Sequence, residues 1–255
     1  MIDEDVQPET PGRMSFLDHL DELRRRILYS VYSLLAAAVI AFAFVDRVLV
    51  EITMPMIEGI TSQRLLSTEA LDPIMLYFKA GLLLALFIAS PLILLQVWFF
   101  IAPGLYSKEK RMAVPFVFFS TALFLGGAYF GHKVAFPITW QFLGAMVPSF
   151  LDWHPTAASA LSLYMRILLG LGLVFQMPMI VFVLARFGII TAKFMIKHFR
   201  YAILIIFIIA AVASPGQDPA SQLVFAAPMT LLYLVSIGVA WLFGKKKAPV
   251  EADAE

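Results

Sequence analysis

An all-α integral membrane protein of six transmembrane helices, with both termini cytoplasmic, is the fold class this sequence predicts, on three observations. Apolar residues make up 61% of the 255 and charged residues only 15%, where a soluble domain carries about 25% charged residues. The apolar residues fall into long runs rather than amphipathic stripes, as burial in lipid requires. Lysine and arginine are also divided unevenly between alternate connections, the bias that sets orientation in a bilayer.

Residues 1–14 are polar and read as a flexible segment ahead of a transmembrane domain spanning 15–243. Ser15 and Asp18 have the form of a capping box, and Phe16, Leu20, Leu23 and Ile27 then share one helical face, which predicts a short surface helix leading into the first span. Residues 27–45 follow without a charge, a length of about 28 Å as a helix against a hydrocarbon core of roughly 30 Å. Residues 46–73, with Pro55, Gly59 and five acids, form the longest external connection and are expected to fold as short helices capping the outer face. Further spans are read at 74–101, 112–131, 157–185, 201–213 and 223–243. Between the third and fourth, residues 140–156 read as a second external segment, where Trp140 and Trp153 suggest an interfacial belt. The fifth span covers only about 20 Å, so the bilayer thins around it or its outer end stops below the surface. Pro91, Pro178 and Pro228 each remove a backbone hydrogen bond within a span, which predicts a concave bundle with a short fifth helix and an external cap. Residues 244–255 read as a disordered cytoplasmic tail.

Fourteen of the nineteen basic residues fall on one side: Arg13 and Arg24 to Arg26 before span one, Lys108, Lys110 and Arg111 after span two, Arg186, Lys193, Lys197 and Arg200 after span four, and Lys245 to Lys247 after span six. Retention of cations in cytoplasmic loops makes that side cytoplasmic. No cleavable signal peptide is expected, since the first apolar run is a full span without a small-residue cleavage site. Cysteine is absent and the four histidines, His19, His132, His154 and His198, lack ligand spacing, so disulfides, thiol chemistry and a metal site are not expected. No covalent reaction, cofactor or nucleic-acid partner is predicted. The net charge of +1 carries no information about partners.

The most informative residues are Glu22, in Glu22-Leu23-Arg24-Arg25-Arg26, and Glu109, in Lys108-Glu109-Lys110-Arg111. Both are acids in basic clusters flanking a span, and each is a candidate for binding a cationic group. The run His19-Leu20-Asp21-Glu22-Leu23-Arg24-Arg25-Arg26, then Asp72-Pro73 ahead of Lys79, then Gln96-Val97-Trp98-Phe99-Phe100-Ile101-Ala102-Pro103-Gly104-Leu105-Tyr106 with Glu109, resembles the TatC family, the multispanning subunit of the twin-arginine protein translocase. Phe175-Gln176-Met177-Pro178, and Ser214-Pro215 with Asp218, Ser221 and Gln222, continue the resemblance over residues 15–243.

That resemblance implies a receptor for the paired arginines of signal peptides on folded precursors. It would reside in the cell inner membrane, self-associate and work with single-span partners of the TatA and TatB type, with export driven by the proton-motive force. It assigns Glu22 and Glu109 to the two arginines, with His19, Leu23 and Phe100 beside them and Arg24 orienting one acid. The chemistry fits, because a carboxylate accepts the planar guanidinium fork bidentately. Within the spans, Lys79 and Arg166 are expected to snorkel toward the outer interface. Gln96, Gln176 and Gln222 are intramembrane polar groups suited to contact with partner helices, with Gln176 and Gln222 expected to form one small polar cluster. Many family members carry glutamate where Gln176 stands, so a proton-linked role there is not expected. Two alternatives are weaker. A small-solute secondary transporter calls for a midplane site between repeated halves, and an intramembrane hydrolase calls for a nucleophile beside a base or paired aspartates at membrane depth. Neither is evident.

Overall fold

The computed structural model describes residues 16–58, 60, 64–101, 113–148, 150–213 and 219–244. The cap residue Ser15, the segments expected to be flexible or disordered (Gly244 apart), Pro103 to Tyr106, Glu109, and Ser214 to Asp218 lie outside them. Helix α1 (Phe16–Ile57) runs for 42 residues, about 63 Å at the rise of an α-helix and twice the thickness of a hydrocarbon core. This corrects two expectations: the leading surface helix is continuous with the first span, and no separate short helices follow it up to Ile57. Asp46, Arg47 and Glu51 end the charge-free run but not the helix, because they lie on its exposed face. Val45, Leu49, Ile52 and Met56 stay buried on the other, so beyond residue 45 the helix becomes amphipathic.

Helix α2 (Asp72–Ile101) returns antiparallel to α1 and makes the most extensive helix pair in the bundle with it. Its start is fixed by Asp72, whose carboxylate accepts the Thr68 and Glu69 amides at 2.9 and 3.0 Å. Along the seam Ala37 and Ala41 meet Ala85 and Ala89, small side chains that let two membrane helices approach closely. Helix α3 (Ala113–Phe130) continues through a π-helical turn (Gly131–Ala135) into α4 (Phe136–Ala145).

The helical segment carrying the third crossing is therefore 33 residues long, about 50 Å, so the helix continues past the sequence-based end at residue 131 and Trp140 lies within it. Trp140 is 3% exposed. Its indole N–H donates to the Met56 carbonyl at 2.8 Å, an oxygen in the last turn of α1 that has no intrahelical donor. Phe136 and Trp153 pack against the same ring. The tryptophans thus join α1 to α4 rather than form a lipid-facing belt. Nearby, Leu66 pairs with Thr156 in a parallel bridge, giving its carbonyl to Ala157 and its amide to Pro155.

The fourth crossing is broken. Helix α5 (Ala157–Val174) is capped by Thr156, whose side chain accepts the Ser159 amide. It ends at Phe175 and Gln176, and α6 (Met177–Arg186) continues. Pro178 in the first turn of α6 explains the break: it lacks the amide that the Val174 carbonyl would accept and its ring crowds that oxygen. Pro91 and Pro228, by contrast, lie within the unbroken helices α2 and α9 (Pro219–Phe243). Helix α7 (Ala192–Lys197) and the 15-residue α8 (Phe199–Ala213) connect α6 to α9. Among the described residues, five helical segments are long and apolar enough to cross a membrane, and α8 carries the shorter sixth. The outer surface is apolar, with Val39, Phe118, Val212 and Trp241 all strongly exposed, as lipid contact demands.

Candidate functional site

The candidate surface forms where the first turns of α1 meet the last turns of α2. Residues 19, 22 and 26 share one face of α1 by helical spacing, and that face lies against Gln96, Phe99 and Phe100. The His19 ring stacks on Phe100 with centroids 4.6 Å apart. Arg26 donates through Nε to Glu22 Oε1 at 2.6 Å and through a terminal nitrogen to Gln96 Oε1 at 3.2 Å, and its guanidinium lies 5.0 Å from the centre of the Phe99 ring. The Glu22 side chain keeps 20% of its exposure and that of Arg26 24%, so the pair sits in a partly desolvated notch rather than in open water.

Both arginine contacts converge on Oε1 of Glu22, which leaves Oε2 as an acceptor with no recorded bond among the described residues. A carboxylate accepts about four hydrogen bonds. An ion pair four residues apart on a helix is worth only about 0.5 kcal/mol, so Arg26 orients Glu22 without competing strongly with a second guanidinium.

Of the residues singled out from the sequence, His19, Glu22, Phe100 and Gln96 come together here, with Leu23 half-buried beside them. Glu109 lies outside the described residues. Arg24 does not orient Glu22: it is exposed, and two residues along a helix place it on the other side. The positioning residue is Arg26. The signal was present in the spacing of Glu22 and Arg26, whereas the link from Arg26 to Gln96, 70 residues away, had no local signal. Gln96 thus belongs to this surface.

The other polar residues occupy separate places. Gln176 donates to the Ser120 carbonyl of α3 at 2.8 Å, stitching the α5–α6 break to the neighbouring helix. Gln222 donates to the Phe207 carbonyl of α8 at 2.8 Å. The two amides bond to carbonyls of different helices, and no bond between them is recorded among the described residues. Lys79 Nζ lies 3.5 Å from Ser162 Oγ, and Arg166 is exposed on α5. No group of three or more metal-ligating side chains occurs among the described residues.

Comparison with known proteins agrees with this architecture. The family described as "Sec-independent protein translocase protein (TatC)" matches residues 18–228. The chain is 40% identical over 246 residues to the Sec-independent protein translocase protein TatC of Koribacter versatilis, covering 95% of this chain and 90% of that protein. It is 32% identical over 242 residues to that of Aquifex aeolicus, covering 93% and 99%. A solved structure described as the twin arginine translocase receptor TatC superposes with a TM-score of 0.74 at 32% identity, over 87% of this chain and 97% of that one. A second, in the detergent DDM, gives 0.76 at 31%, over 89% and 100%. With the family match extending from the first turns of α1 into α9, and with a solved relative of the same helical architecture, this chain belongs to the TatC family of multispanning Sec-independent protein translocase subunits, transport proteins rather than enzymes.

Proposed function

We propose that the chain is the receptor subunit that captures the paired arginines of signal peptides on folded precursors at the cytoplasmic face of the cell inner membrane. The observation that carries this reading is the oriented, half-buried Glu22, with one oxygen held by Arg26 and the other without a recorded bond among the described residues. A guest guanidinium at Oε2 would make a charge-assisted bond in partly desolvated surroundings, where it is stronger than in water. The His19–Phe100 stack and Phe99 supply an aromatic shelf for the planar guanidinium or its methylene stem. The second arginine is assigned to Glu109, in the connection that leaves α2 beside this notch. The cations retained beside the notch support a cytoplasmic placement. The same reading brings in TatA- and TatB-type single-span partners, self-association and proton-motive-force-driven export. Gln176, Gln222 and the apolar surface of α8 are the contacts proposed for the partners.

The test is export of a folded reporter bearing a twin-arginine signal, in cells lacking their own subunit and complemented with this chain. Glu22→Ala and Glu109→Ala are each expected to abolish export while membrane insertion and steady-state level stay normal. Export that survives both changes contradicts the assignment.

A further inference from the structure

The end of α1 away from the Glu22 notch carries charged groups that signal-peptide capture does not use. Glu51 lies about 44 Å along the same helix from Glu22 and about 9 Å beyond Val45, where the charge-free run ends. That is the level of the outer headgroup layer. Glu51, Pro55 and Glu58 fall on one face of α1 by helical spacing. This face lines a cavity of about 300 Å³ with His132 and Lys133 of the π-turn and Pro137 of α4. A second cavity, of about 250 Å³, shares Glu51 and His132 with the first and is walled chiefly by apolar side chains, among them Leu83, Leu84, Phe87, Leu125 and Leu168. At the junction the Tyr164 hydroxyl lies 2.9 Å from His132 Nδ1, so the polar groups gather at the shared end. Leu83 and Phe87 stand about 17 and 22 Å from the start of α2, and Leu168 about 17 Å from the start of α5. The apolar cavity therefore descends from a charged mouth into the outer leaflet, the form of a site for an amphiphile.

We propose that the two cavities together bind one outer-leaflet phospholipid with a primary ammonium in its headgroup, a phosphatidylethanolamine, its headgroup among Glu51, Glu58 and Lys133 and an acyl chain in the apolar cleft. Charge complementarity selects this occupant, because the mouth holds both signs. The Lys133 Nζ to Glu51 contact is 4.0 Å, and the two side chains keep 52% and 67% of their exposure. Such a pair is worth little by itself and is open to exchange for the phosphate and the ammonium of a zwitterion. A primary ammonium brings three N–H donors for charge-assisted bonds to carboxylates. The quaternary ammonium of a choline headgroup brings none, and a glycerol headgroup adds a negative charge beside two acids without a cation to offset it. The π-turn serves this geometry, since it lets the consecutive residues His132 and Lys133 both line the mouth, and such turns recur where a helix presents functional side chains.

The test reconstitutes the full chain in phosphatidylcholine vesicles with a trace of phosphatidylethanolamine carrying a photoactivatable group on one acyl chain. Matched vesicles carry the same chain on phosphatidylcholine or on phosphatidylglycerol, and labelled peptides are mapped by mass spectrometry. Labelling of the cleft walls at Phe87 and Leu168, relative to the lipid-exposed Phe118, is expected to be about tenfold higher from the ethanolamine lipid, the scale of one charge-assisted hydrogen bond. The double exchange Glu51→Gln with Glu58→Gln is expected to bring that ratio below about twofold, a difference of roughly 0.4 kcal/mol. Glu69→Gln, an exposed acid that does not line either cavity, is expected to keep the full preference. Leu125→Trp, which fills the cleft from a side chain 40% exposed, is expected to lower labelling at Phe87 and Leu168 and leave Phe118 unchanged, a readout that stands without the charge variants. Equal labelling by the three lipids overturns the proposal. So does a preference for phosphatidylglycerol, an ethanolamine preference that survives the double exchange, or cleft labelling unaffected by Leu125→Trp.

Discussion

Glu22 owes its geometry to one residue, Arg26, and the neighbouring basic residues of the same cluster contribute differently. Arg26 binds Glu22 and Gln96 and lies over Phe99, Arg25 donates to the Tyr29 hydroxyl at 3.3 Å, and Arg24 is exposed. Exchange of each arginine for glutamine separates these roles. Arg26→Gln releases Glu22 from its fixed orientation and is expected to weaken binding of a diarginine signal peptide to the purified protein by about tenfold, the scale of one charge-assisted hydrogen bond. Arg24→Gln should change that affinity less than twofold, a threshold on the order of 0.4 kcal/mol and small beside any charge-assisted bond. Titration of the two variants with a fluorescent peptide distinguishes them, and a larger loss in Arg24→Gln would return the positioning role to that residue. Glu22 itself was legible in the sequence because an acid amid three arginines is conspicuous. Its partner Arg26 was not singled out, because adjacency along the chain is not adjacency around a helix.

At the scale of elements, close approach of α3 and α5 determines how the central spans pack. A Cβ added to Gly127 would stand 2.7 Å from the Leu171 carbonyl oxygen and 2.8 Å from the Phe175 ring, whereas one added to Gly126 meets nothing within 4 Å. Gly127→Ala is therefore expected to cost about 1–3 kcal/mol through forced separation of the helices, and Gly126→Ala to be neutral or slightly stabilising. Unfolding of the two variants in detergent by denaturant checks the contrast, and equal stabilities would mean that the helices are not in this contact. The spans were readable because a backbone in lipid must satisfy its own hydrogen bonds, which reduces the problem to finding apolar runs. The elements that extend past the apolar runs were not. Helix α1 continues beyond Val45 by switching from all-round apolar to one-sided burial, and α4 continues α3 through a π-turn that no residue pattern announced. The α5–α6 break was foreshadowed by Pro178, although proline alone did not separate it from the unbroken helices containing Pro91 and Pro228.

Across the whole molecule α1 and α2 form the most extensive pair, α2 packs in turn on α3 and α5, and α3 on α5, α6 on α9 and α8 on α9 complete the bundle. The Glu22 notch is built within the first pair. The Trp140 bond to Met56 and the Leu66–Thr156 bridge join that pair to the rest at the opposite end. The Glu22 notch is thus held by two long helices whose register is set along the alanine seam, with Glu109 proposed as its second carboxylate. The most direct test of that pairing is photocrosslinking from probes placed beside the two acids, at positions 21 and 108 of the assembled protein, to a signal peptide bearing Arg-Arg, compared with one bearing Lys-Lys. The account predicts crosslinks from both positions to the Arg-Arg peptide and a large loss from both with Lys-Lys, since lysine lacks the planar fork. Equal yields for the two peptides, or crosslinks from position 21 with none from position 108, would contradict it.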